Sequence, residues 1–79
     1  MTDLEVSILD FEGKWWQQRG HKEAEIRRLF GMSAIRYAQR LNQLLDDADA
    51  QRYDPLLVNR LRRIRAQRSL ARVQRRHLA

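Results

Sequence analysis

Arg36, Gln39, Arg40 and Gln43 recur at i, i+3, i+4 and i+7, the spacing that gathers side chains on one face of a helix. No Asp or Glu interrupts this face, although solvated helix faces ordinarily mix acids with Lys and Arg. Arginine can donate two hydrogen bonds to guanine O6 and N7, and glutamine pairs in the same bidentate way with adenine N6 and N7. A helix seated in a major groove delivers such groups to successive base pairs, and its N-terminal end makes most base contacts. Ile35 stands there and fits a thymine methyl. The pattern therefore predicts base reading by Ile35, Arg36, Gln39, Arg40 and Gln43.

A second chemistry belongs to the end of the chain. Residues 55 to 79 hold eight Arg and no acid, a net +8, whereas residues 1 to 54 hold eight basic and ten acidic side chains, a net −2. A cationic tail on a near-neutral body concentrates a polyanion around it. Leu57, Val58, Leu61 and Ile64 form a helical stripe that can pack on the body, but its continuation is Arg65, Arg68, Arg72, Arg75 and Arg76. Burying these guanidiniums against an apolar core would be costly, so the helix is expected to leave the body near Ile64 and meet another partner. DNA phosphates suit it, because each neutralised phosphate releases counterions. The expected backbone contacts are Lys22, Ser33, Arg60, Arg62, Arg63, Arg65, Arg68, Arg72, Arg75 and Arg76, with His21 beside Lys22. Ala66, Leu70 and Val73 line another side of the helix, where a second copy of the chain would pack as a homodimer.

Composition removes other classes of function. A chain of 79 residues supports one small domain, and 43% apolar with 33% charged residues suits a soluble fold. There is no cysteine, hence no disulfide framework, thiolate metal site or cysteine nucleophile. His21 and His77 are isolated, and neither a phosphate-cradling glycine loop nor a metal-ligand spacing is present. We expect no catalytic residue, no metal ligand, no cofactor and no small-molecule substrate. The longest apolar run, Leu56-Leu57-Val58, is far below the ~20 residues of a membrane span, and the acidic start of the chain is unlike a signal peptide. The expected location is the cytoplasm, at the nucleoid.

Few β-branched residues and a single proline predict an all-α fold, a bundle of about four helices with a helix-turn-helix and a long basic C-terminal helix. Thr2 with Glu5 is a capping box, and Ser7 with Asp10 offers a second start for the same helix. Leu4, Ile8, Phe11 and Trp15 make its core stripe, with Trp16 toward the rim; Gly20 is expected to end it, and Gly13 suggests a close approach or a break. A second helix is expected from Lys22 to Phe30, buried through Ile26, Leu29 and Phe30, and stopped by Gly31. Ser33 then caps a third helix to Leu45, with Ala34, Tyr37, Ala38, Leu41, Leu44 and Leu45 inward. Residues 46 to 54 read as an acidic connection, a loop or a frayed turn. Asp54-Pro55 restarts the chain as N-cap and first helical residue, and the last helix runs to about Arg76. Residues 1–64 form the body and 65–79 the extension.

Two resemblances follow from these residues. Phe30-Gly31-Met32-Ser33, with Arg36 and Gln39, resembles the turn and recognition helix of the sigma-factor helix-turn-helix that reads the upstream promoter element. The order Phe11-Glu12, Trp15-Trp16, Lys22-Glu23, Ile26-Arg27, Leu29 to Ser33, Arg36-Tyr37, Gln39, Leu41-Asn42, Leu44 to Asp46, Pro55, Leu57-Val58 and Arg60 to Arg62 resembles a family of small actinobacterial proteins of unknown function, frequent in mycobacteriophage genomes. Ala38 departs from that family's second Tyr, and Arg27 from the small residue of general helix-turn-helix patterns. The resemblance implies a DNA-binding helix-turn-helix with no established reaction. Double-stranded DNA is the expected partner and transcriptional regulation the expected role. The competing reading is an interaction protein whose basic helix binds RNA or RNA polymerase.

Overall fold

Five helices are found among the described residues, and the local chemistry of their ends is visible in the side chains that take up free backbone groups. The computed structural model describes the backbone of residues 1–14 and 19–78 and the side chains of residues 1–14 and 21–74. The expectations for Trp15, Trp16, His77 and the side chains of Arg75 and Arg76 lie outside the described residues.

Helix α1 (Asp3–Lys14) begins at the first of its two expected starts. The Thr2 hydroxyl accepts the Glu5 N–H at 3.2 Å while the Glu5 carboxylate accepts the Thr2 N–H at 2.9 Å, and Ser7 lies inside the helix. Gly13 has open space beside it and α1 continues to Lys14, so neither a close approach nor a break at Gly13 accounts for it. Gly20 does not act as a stop: it lies in the first turn of α2 (Arg19–Phe30), which begins before Lys22. First-turn N–H groups have no intrahelical partner, so a glycine there interrupts no hydrogen-bond ladder.

Gly31 ends α2 as expected. Its φ of 64° is the left-handed conformation that favours glycine, and its N–H reaches the Arg27 carbonyl at 3.0 Å. Residues 31–33 form the turn into α3 (Ala34–Leu44), where the Ser33 hydroxyl accepts the Arg36 N–H at 3.2 Å. The acidic connection is not a loop. It contains α4 (Ala48–Tyr53), capped by Asp47, whose carboxylate accepts the Asp49 N–H at 2.8 Å. Six residues are under two turns, too few for a hydrophobic period to emerge, yet fully buried Ala50 anchors the segment. Asp54 then accepts the Leu57 N–H at 3.2 Å, and α5 (Pro55–Leu78) runs for 24 residues.

The core draws on every helix: Ile8, Leu9 and Phe11 from α1, Ile26 from α2, Tyr37 and Leu44 from α3, Ala50 from α4, and Leu57 and Val58 from α5, with Leu45 just past α3. Phe11 meets Phe30 and Tyr37 edge-on, at 5.6 and 5.9 Å between ring centroids, while Phe30 and Tyr37 stack at 5.7 Å. Leu29 and Ala38, expected inward, are exposed; the three-helix contact is narrow enough that Ile26, half-buried Phe30 and Tyr37 fill it.

Among the described residues, one charged side chain is buried in this core. Glu12 is 4% exposed, and both its oxygens accept from Lys22 Nζ, at 2.9 and 2.7 Å. Lys22 Nζ also lies 6.0 Å from the Tyr37 ring centroid. Burial, with the Glu12 carboxylate beside it, pushes the Tyr37 phenol far above its ordinary range, so it stays neutral.

Two stability predictions follow. Ile8→Ala, at a fully buried site, is expected to cost about 2–5 kcal/mol in urea unfolding. Lys22→Met strands the Glu12 carboxylate and should cost about 3 kcal/mol. Adding Glu12→Leu to Lys22→Met should recover most of that loss, and a double variant no better than Lys22→Met would contradict the ion-pair account.

Candidate nucleic-acid interface

The inward side of α3 is held by Tyr37 and Leu44, and this sets what the helix presents outward. Ile35, Arg36, Gln39, Arg40 and Gln43 are all exposed, Ile35 at 75%. An isoleucine so exposed, next to two arginines in sequence reach, gives the face one apolar contact among its hydrogen-bonding groups. α3 stands as a ridge between two open clefts. On one side Arg36, Arg40 and Gln43 face Leu4 and Met32; on the other Ile35 and Asn42 face Arg68 and Arg72 of α5. Gln39 borders both. The five expected base-reading residues therefore form one continuous surface.

The expected backbone contacts divide. Arg60, Arg62, Arg63, Arg68 and Arg72 are exposed. Ser33 is exposed too, with its hydroxyl oxygen engaged as the α3 cap. Lys22 is half-buried and turned to Glu12, so its ammonium is paired at the edge of the core and is not a free outward cation. His21 beside it is exposed.

Arg65 is also committed within the chain. It donates to Asp46 Oδ1 and Oδ2 at 2.8 and 3.2 Å, and to the Asn42 side-chain oxygen and carbonyl at 2.7 and 3.3 Å. The body therefore holds α5 through Arg65, although the apolar stripe weakens at Ile64, which is 37% exposed. From there residues 66–74 are all exposed.

Neither Glu12–Lys22 nor Asp46–Arg65 emerged from the sequence. The first left a signal: Glu12 lies four residues after Ile8, on the apolar stripe of α1, where an acid demands a partner. The second left almost none, because Asp46 and Arg65 are nineteen residues apart and each sits among like charges. A third contact, from the Tyr53 hydroxyl to Asp10 at 2.7 Å, joins α4 to α1. It holds the Tyr53 phenol above its ordinary range.

The remaining chemistry is limited. No group of three or more His, Asp or Glu that could hold a metal ion occurs among the described residues, and no described helix is long and apolar enough to cross a membrane. A family model described as "Protein of unknown function (DUF3263)" matches residues 1–73. Neither a curated protein nor a solved structure matches the chain.

Arg65 holds the Asp46 carboxyl below the ordinary aspartate range, chiefly by hydrogen bonding and then by charge, with Arg62 adding to it. A depressed carboxyl stabilises the fold while ionised, so the junction is fully formed at neutral pH and is lost as pH falls through the Asp46 midpoint. In an NMR titration that midpoint should lie below the ordinary value and rise in Arg65→Met. A midpoint unmoved by Arg65→Met would mean that Arg65 does not engage Asp46 in solution.

Proposed function

We propose that this chain, which belongs to the DUF3263 family of proteins of unknown function, is a double-stranded DNA-binding protein of the helix-turn-helix type and a transcriptional regulator at the nucleoid. In this reading α2, the 31–33 turn and α3 make the reading head. Ile35, Arg36, Gln39, Arg40 and Gln43 address base edges in the major groove, and the Arg-rich part of α5 grips phosphates.

The observation that carries the reading is the outward surface of α3: five exposed side chains without an acid, four of them able to hydrogen-bond bases and one, Ile35, apolar and 75% exposed. Arginine and glutamine without an acid beside them suit a groove lined by base edges and phosphates, and a thymine methyl would cover Ile35. The net charge supports the same conclusion, since residues 55 to 79 are all-basic in their ionisable content apart from His77. Lys22 and Arg65 are excluded from the proposed contacts because each already satisfies a carboxylate of the chain.

The reading separates two kinds of residue by experiment. Duplexes selected from a random pool by the wild-type protein should share a motif. Arg36→Ala or Gln39→Ala should cost about 1–3 kcal/mol on that motif and relax preference at the contacted positions. Binding of RNA or RNA polymerase through α5, with duplex binding indifferent to Arg36 and Gln39, would replace this reading with that of an interaction protein.

A further inference from the structure

Among the tail arginines whose side chains are described, Arg65 is the one hydrogen-bonded to the body, and its position bears on where Arg68 and Arg72 lie. Asn42 and Asp46 stand at the C-terminal end of α3 and just beyond it, and together they take four hydrogen bonds from the Arg65 guanidinium. A planar guanidinium bound on two edges constrains direction as well as distance. The junction therefore sets the course of α5 relative to α3.

At three, four and seven residues beyond Arg65, the residues Arg68, Ser69 and Arg72 share its side of α5. Opposite them stand Ile35, Gln39 and Asn42 of α3, and the two rows are the walls of one open cleft with no acid in its lining. Asp46, which pairs with the lining residue Arg65, is already neutralised by it. Arg68 and Arg72 are ~6 Å apart along the helix, one turn apart on the same side, so both can face one strand. Arg60 and Arg63, equally exposed, lie ~140° and ~160° around α5 from Arg65 and face elsewhere.

We propose that this cleft seats the sugar–phosphate backbone of the DNA strand bordering the groove that α3 reads. Arg68 and Arg72 hold its phosphates, the Ser69 hydroxyl donates to the same strand, and Asp46 acts through Arg65 as a positioning residue. The inference rests on the DNA-binding reading above and adds to it a division of labour among the arginines. It also carries an unusual sign. Removing an acid from a DNA-binding protein ordinarily tightens its grip, because a repulsion is lost. Removing Asp46 should weaken it, because the cleft loses its wall.

The test is fluorescence anisotropy of a labelled mixed-sequence duplex between about 50 and 200 mM salt, with the fold of each variant checked by circular dichroism. Arg68→Ala with Arg72→Ala should reduce the slope of log affinity against log salt by about 1.8, which makes the loss of affinity across that range about tenfold smaller. Asp46→Ala should bind more weakly than wild type and with a reduced slope, and Asp46→Glu should restore both. Arg60→Ala with Arg63→Ala, the same loss of charge, should change the slope by less than half as much.

Asp46→Ala binding as tightly as wild type or more tightly overturns the positioning role, and equal slopes for the two arginine pairs overturn the cleft. The arginine pairs lie on exposed helix, so their comparison decides the matter even if Asp46→Ala does not fold. A wild-type protein that binds no duplex at any salt would instead sink the DNA-binding reading itself.

Discussion

A carboxylate that is 4% exposed in a 79-residue chain is the constraint on which the arrangement depends. Glu12 cannot be held there as an isolated charge, and a small fold has little stability to spare for it. Lys22 supplies the counter-charge from α2 only if α2 lies across α1. Tyr37 closes the same region from α3, under the Lys22 ammonium and against Phe11 and Phe30. Three helices thus meet around one ion pair and one aromatic group, which gives the packing a register that Leu and Ile contacts alone would leave looser.

That register decides what faces out. With Tyr37 and Leu44 inward, helical geometry leaves Gln39 on the far side of α3 and Arg36, Arg40 and Gln43 along one exposed flank. The same logic holds at the other end of α3, where Arg65 reaches Asn42 and Asp46. One ion pair orients the proposed reading helix from within the core, and a second ties the basic helix to its end. The first has its carboxylate buried and its ammonium half-buried. The second is exposed to water, where ion pairs contribute little to stability, so its effect is on direction more than on folding.

Much of the fold was legible because it rests on local chemistry. The Thr2 and Ser33 caps, the Gly31 stop and the Asp54-Pro55 restart each need only neighbours within four residues. Gly20 misled because glycine stops a helix at its end and is tolerated in its first turn, and composition does not say which end is meant. α4 escaped because its six residues are too short for a period, and its burial comes from α5, with which it packs. The spacing of Leu29 predicts a core position, yet 49% of it is exposed, because spacing defines a face of α2 without saying how wide the neighbouring surface is.

The sequence by itself determined the all-α character, most helix ends, the acid-free face of α3 and the separation of charge between body and tail. All of these follow from residue type and from spacings of three or four positions. Only the tertiary structure decided which cations remain free. Lys22 and Arg65 read as members of a basic surface, but folding brings each against a carboxylate distant in the chain, Glu12 and Asp46, and an arginine or lysine already paired is not a free charge. Pairing of that kind depends on where helices cross, and crossing is set by the shape of the shared core rather than by any short stretch of sequence.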